Sequence, residues 1–235
     1  MESDFYPTPP EPTLALLRWT ATQFSAPSLV VDPFAGDGAI LRVVSREAHR
    51  VGGMELREEC RPALDAVVPG GAVYCDALAT GGAAAELRNA LRFVPGAVGI
   101  TNPPYSLAQQ CVETWAPSFD WSAWLLRLAF LETDERGAWL RGPFRPSHVL
   151  VLDKRPKFVA VCKGLGKTKK REKIKGCGRS YPIGTKGRCE CGGTIGDGSD
   201  ASAYAWFVWP GRGARGRLQQ SAVQLATSDA VGERA

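Results

Sequence analysis

An amide, two prolines and a phenol follow one another at Asn102-Pro103-Pro104-Tyr105, and together they can hold a small amino group. The Asn102 side-chain oxygen and the Pro103 carbonyl are acceptors, and the Tyr105 ring offers a stacking surface. Consecutive prolines remove two backbone donors and keep the chain extended, so the segment is a stiff arch and not regular structure. An aromatic amine is a poor nucleophile because its lone pair is delocalised. Accepting both of its hydrogens favours a pyramidal nitrogen aimed at an electrophile, through proximity and electrostatic assistance, with no covalent intermediate. The competing reading is a strand-ending turn with a buried tyrosine.

A second set lies upstream. Asp32-Pro33-Phe34-Ala35-Gly36-Asp37-Gly38 reads as a strand end, a tight glycine turn and a helix start, which brings bare backbone against a ligand. The Lys-Ser/Thr ending of a phosphate-binding loop is missing, and the two aspartates would repel a pyrophosphate, so the loop suits a cationic nucleoside. Glu55 lies 23 residues beyond Asp32, near the spacing at which a second-strand carboxylate holds ribose hydroxyls. Asp76 ends a third short apolar run.

A third set is Cys162, Cys177, Cys189 and Cys191, separated by 14, 11 and one residue and flanked by Gly176, Gly178, Gly192 and Gly193. Four thiolates suit tetrahedral Zn²⁺, and the glycines let the chain turn tightly around it. The spacing departs from paired Cys-x-x-Cys knuckles, and reduced cysteines are the alternative. Cys60, Cys75 and Cys111 stand singly in apolar segments and read as small core residues.

These sets must be placed by regular elements. Apolar runs at 29–31, 51–54, 73–75, 96–100, 121–130, 149–152 and 204–209 read as strands, with helical periodicity between most of them; Thr13 is positioned to cap the first helix. Alternation of this kind predicts an α/β fold with a doubly wound, mainly parallel seven-stranded sheet, in which ligands sit at the carboxyl ends of the strands. Asp32, Glu55, Asp76 and Asn102 all fall there. The last two strands are expected to be antiparallel neighbours. Residues 1–160 and 197–210 then form the catalytic domain, 161–196 an inserted zinc-ribbon-like element, and 211–235 a flexible tail.

The 235 residues carry a net charge of +5, but Lys154 to Arg188 holds 13 Lys and Arg against Glu172 alone. That stretch is +12 and leaves −7 elsewhere, a local basicity that suits a polyanion; a solvated loop is the alternative. No apolar run approaches the ~20 residues that span a bilayer, the N-terminus is acidic, and seven cysteines make an odd set. The expectation is a soluble, intracellular (cytoplasmic) protein with no membrane partner.

Asp32 to Gly38 followed by Asn102 to Tyr105 resembles the motif pair of the S-adenosylmethionine-dependent amino-methyltransferases, in particular the DNA adenine N6 methyltransferases. Phe5-Tyr6-Pro7-Thr8-Pro9 is similar to the segment that in this family packs on the methionine end of the cofactor. The resemblance covers residues 4–160 and returns at 204–209, and it implies the Rossmann-like methyltransferase fold. It further implies that Tyr6, Pro7, Thr8, Asp32, Phe34, Gly36 and Gly38 line the cofactor's methionine and ribose, that Glu55 holds the ribose hydroxyls, and that Asp76 accepts from the adenine amine. Asn102, Pro103, Pro104 and Tyr105 would hold the target amine, Asn102 also touching the cofactor. Lys154-Arg155-Pro156-Lys157-Phe158 resembles a later motif, which makes Phe158 a second aromatic wall and Lys154, Arg155 and Lys157 substrate contacts. A base in a duplex would be flipped out to reach this pocket. The large target-recognition domain common in the family is missing. DNA is the expected partner ahead of RNA, with cytosine N4 or glutamine methylation and a non-catalytic nucleic-acid-binding module as alternatives.

Overall fold

The computed structural model describes residues 7–47, 50–162, 166–167, 173–174, 179–181, 185–198, 202–211 and 222–226. Its first helix, α1 (Pro10–Gln23), begins at a proline, with Pro9 as its extended cap. Proline's fixed φ suits that first position, so Thr13, the expected cap, lies inside the helix and is buried. The further helices are α2 (Ala39–Val44), α3 (Arg61–Asp65), α4 (Gly82–Leu91), α5 (Ala108–Trp115) and α6 (Asp134–Arg141).

In chain order the strands are β1 (Leu29–Asp32), β2 (Val51–Glu55), β3 (Val73–Tyr74), β4 (Ala97–Thr101), β5 (Trp121–Arg127), β6 (His148–Leu152), β7 (Val159–Cys162), β8 (Gly166–Lys167), β9 (Lys173–Ile174), β10 (Ser180–Tyr181), β11 (Gly187–Arg188), β12 (Thr194–Gly198), β13 (Tyr204–Pro210) and β14 (Ala222–Ala226). The main sheet runs β14-β6-β13-β5-β4-β1-β2-β3. All its pairs are parallel except those of β13, which is antiparallel to β5 and β6. The seven expected strands are therefore present, and the expected β6–β13 pairing is antiparallel. An eighth strand comes from the segment read as a tail: β14 alternates Val223 and Leu225 with Gln224 and pairs along β6, occupying backbone groups that would otherwise form an open edge.

Both faces of the central strands are covered, which is why β4 is buried throughout and β5 is buried up to its last residue. On one face α4 and α5 supply Leu91, Cys111, Val112 and Trp115 to a core shared with Val31, Trp124, Phe207 and Trp209. Trp206 points the other way and donates its indole N–H to the Pro12 carbonyl of α1 at 2.8 Å. Leu41 of α2 and Leu64 of α3 cluster with Ala35 and Val68.

Arg155–Ala201 forms a separate compact unit, wider than the expected 161–196 because β7 pairs with β10 and β12. It contains the sheet β10-β7-β12-β11 and the pair β8–β9.

Candidate active site

The chain runs from β1 to β2 and β3 on one side of the sheet, then crosses to β4 on the other flank of β1. Strand order reverses there, and a crevice opens beyond the carboxyl ends of β1 and β4. Asp32 ends β1 and Asn102 follows β4, so the two motifs read from sequence stand on either side of this opening.

Asp32 is 1% exposed. Its Oδ1 accepts from the Thr101 hydroxyl at 2.6 Å and from the Phe34 N–H at 3.0 Å. Burial pushes its carboxyl up to about 7; the Thr101 and Phe34 hydrogen bonds pull down, and the Glu55 charge adds to the rise. The turn after it needs left-handed backbone: φ is 57° at Gly36 and 80° at Gly38. Gly38 starts α2, and a Cβ there would meet Leu64 at 3.1 Å. It shapes the loop and does not line the cavity described below.

Glu55 is a crowded acceptor. Its Oε1 takes the Arg57 backbone N–H at 2.9 Å and Nε–H at 2.8 Å, while Oε2 takes the Gly36 N–H at 2.7 Å and Arg57 Nη2 at 3.3 Å. With about four lone-pair sites on a carboxylate, a diol would enter by displacing the longest contact, that of Nη2. Asp76 is exposed and accepts from the Leu78 N–H at 2.8 Å. The loop behind it is pinned: Arg88 of α4 donates to the Ala77 and Ala79 carbonyls at 2.9 and 2.5 Å, and the Trp115 indole of α5 donates to Ala77 at 2.9 Å.

A cavity of about 560 Å³ joins these groups, with Pro7, Thr8, Asp32, Phe34, Gly36, Glu55, Asp76, Asn102 and Pro104 in its wall beside the apolar Ile40, Leu56 and Leu78. Its size falls within the range of small-molecule sites. Pro103, within the arch, is buried. Tyr105 is not in the cavity wall: its ring packs at 5.8 Å from Tyr204 and 5.2 Å from the Arg127 guanidinium. Burial, reinforced by Tyr204, holds its phenol above the ordinary tyrosine range, so the hydroxyl is neutral. Asn102 Nδ2 donates to Thr8 Oγ1 at 3.1 Å.

Tyr6 lies outside the described residues. Lys154 is exposed at the end of the main unit; Arg155, Lys157 and Phe158 belong to the second unit, the first two exposed and Phe158 buried. Within that unit Cys162 ends β7 opposite Ile195, and Cys189 and Cys191 occupy the turn between β11 and β12 with their sulfurs 3.4 Å apart. Tyr181 donates its hydroxyl to Cys189 Sγ at 2.9 Å. Cys177 lies outside the described residues, among which no group of three or more His, Cys, Asp or Glu is placed to hold a metal.

Sequence reasoning passed over Thr101, Arg57, Arg88, Arg127 and Tyr204. Thr101 and Arg127 carried a usable signal, since each closes an apolar strand at the ligand edge. Arg88 carried none, because its partners depend on how α4 docks.

No family model matches the chain, and no curated protein matches it by sequence. Among solved structures it is similar to a proposed RNA methyltransferase of Pyrococcus horikoshii (14% identity, 84% of this chain and 83% of that one, TM-score 0.48). Another is the methyltransferase subunit of a type I restriction-modification system from Streptococcus thermophilus (11%, 87% and 44%, TM-score 0.48). A third is precorrin-6y C5,15-methyltransferase of Geobacter metallireducens (11%, 83% and 86%, TM-score 0.42). The sheet is doubly wound and mainly parallel, with β13 antiparallel between β5 and β6, as the alternation of strands and helices predicts. Activity rests on this chain's own residues.

Proposed function

We propose that the protein is an S-adenosylmethionine-dependent methyltransferase acting on an exocyclic amine of a nucleobase, adenine N6 in DNA first. The observation that carries this reading is the convergence of Asp32, Glu55, Asp76 and Asn102, from the ends of four strands, on one cavity. Carboxylates beside apolar Ile40, Leu56 and Leu78 suit a cationic, adenosine-bearing cofactor: hydroxyls at Glu55, the adenine amine at Asp76, positive charge near Asp32. When bound, that cofactor supplies an electrophilic methyl group.

The chain's own part is positioning. Asn102 Oδ1 and the Pro103 carbonyl accept from the target amine and turn its lone pair toward the cavity, while Tyr105 stacks on the base. A neutral phenol is no general base, so the proton leaves after transfer. The local basicity of Lys154 to Arg188, with Lys154, Arg155, Lys157 and Phe158 at its start, supports a nucleic-acid substrate. The test is incubation with labelled S-adenosylmethionine and DNA, RNA or protein, followed by analysis of the modified residue. Label in N6-methyladenine of DNA supports the reading. Label in RNA, in N4-methylcytosine or in glutamine moves the substrate, and binding without transfer removes the enzyme.

Within the second unit we propose a structural Zn²⁺ held by Cys162, Cys177, Cys189 and Cys191. The reading is supported by the paired sulfurs of Cys189 and Cys191 in one glycine turn, with Gly192 at φ 82°, and by Cys162 beside the start of β12. Metal analysis of the purified chain should find about one zinc; a metal-free chain with unchanged nucleic-acid affinity would refute it.

A further inference from the structure

Two neighbouring parallel strands end side by side, and their last residues touch. Asp32 closes β1 and Thr101 closes β4. They are 1% and 0% exposed, and Thr101 Oγ1 lies 2.6 Å from Asp32 Oδ1. The contact joins the first residue of the glycine loop to the residue directly before Asn102.

A threonine hydroxyl can donate or accept, but an ionised carboxylate only accepts. With Asp32 charged, Thr101 must therefore donate, and 2.6 Å is the length of a charge-assisted O–H···O⁻ bond. With Asp32 protonated the same contact is a neutral one, roughly half as strong, so the bond favours the charged carboxyl. The Phe34 N–H, at 3.0 Å, falls on the same oxygen. Among the described residues no donor reaches Oδ2, while Asp32 stands in the cavity wall. The other charged side chains in that wall are Asp37, Glu55, Arg57 and Asp76, with Arg57 paired to Glu55; β4 brings no titratable side chain. Burial drives the Asp32 carboxyl upward, the Thr101 bond is the strongest opposing influence, the Phe34 N–H follows, and the Glu55 charge adds to the rise.

We propose that Thr101 is a positioning residue for a cation in the cavity: its hydroxyl holds Asp32 Oδ1 against β4 and keeps the carboxylate charged, with Oδ2 offered to the ligand. The strand that carries the amine-holding arch thereby also sets the charge that receives the methyl donor. This rests on the reading of the cavity as the site of a sulfonium cofactor. Thr101→Ser keeps the hydroxyl. Thr101→Val keeps the shape, suits a strand, and leaves the Phe34 N–H as the donor to Oδ1.

The test uses the full chain and two readouts. One is titration of the Asp32 carboxyl in the cofactor-free protein by carbon NMR, the signal being identified by its loss in Asp32→Asn. The other is calorimetry of S-adenosylmethionine binding across pH. Thr101→Val should raise the titration midpoint by about one pH unit, and Thr101→Ala, which removes the same donor, should do likewise. In both variants cofactor Kd should rise about fivefold near pH 7 and less than about twofold near pH 8.5, where parent and variant are both largely ionised. Thr101→Ser should hold the parent midpoint. A Thr101→Val midpoint equal to the parent's overturns the proposal, as does a rise in Kd of the same size at every pH, the mark of a purely structural threonine. Should the parent bind no S-adenosylmethionine while the Thr101→Val midpoint still climbs, the control of Asp32 by Thr101 stands and the methyltransferase reading falls.

Discussion

A carboxylate that is 1% exposed and walls a cavity, as Asp32 does, carries its charge at high cost until a cation enters beside it. Its carboxyl is raised from 3.8 to about 7 by burial. For the cofactor-free fold, the stability linked to this group is fully present below pH 3.8 and is lost as pH rises toward 7. A bound sulfonium or ammonium favours the ionised form, so binding below neutrality must expel a proton. Cofactor affinity should therefore fall by up to about tenfold per pH unit below that value and level off above it. Calorimetry across the neutral range checks this, with Asp32→Asn expected to flatten the dependence. Asn102 carries the complementary prediction: Asn102→Ala should cut methyl transfer by about a thousandfold or more while cofactor Kd moves less than about threefold. Loss of binding with transfer intact at saturation would place Asn102 on the cofactor.

Elements position these residues through contacts that have no local signature. One side of the cavity follows β3, and its loop is held by Arg88 from α4 and Trp115 from α5. Arg88→Met keeps the apolar stem and removes the hydrogen bonds to two carbonyls. It should raise cofactor Kd about fivefold to tenfold, in keeping with about 1 kcal/mol of lost ordering, whereas Arg92→Met, at an exposed position in the turn after α4, should leave it unchanged. Binding titrations of the two variants decide it. Residues of this kind mark the limit of what the sequence discloses. Asp32, Gly36, Glu55, Asp76 and Asn102 could be read because strand-end position and residue type coincide. The Thr101–Asp32 bond spans 69 residues, and the Arg88 clamp depends on helix docking, so neither follows from periodicity. The sequence of β14 reads as tail for a similar reason: its pattern is short, and what makes it a strand is the ladder that β6 offers.

At the scale of the molecule, the second unit lies between β6 and β13, which are neighbouring antiparallel strands with Ala205 opposite Val151. Replacing 155–201 by a short Asn-Gly turn would make β6 and β13 an ordinary hairpin. Such a deletion should retain cofactor affinity within about threefold, yet lose at least about tenfold in nucleic-acid affinity together with most of its salt dependence, because the phosphate-neutralising cations leave with it. Parallel titrations with cofactor and with DNA at two salt concentrations check both halves. No helix among the described residues is long and apolar enough to cross a membrane. The placement of the junction has a further meaning. Val151 and Ala205 face each other across one ladder, so the sheet treats whatever lies between them as a loop. That material can be exchanged through two junctions at neighbouring strand ends while the segment from Asn102 to Tyr105 stays untouched.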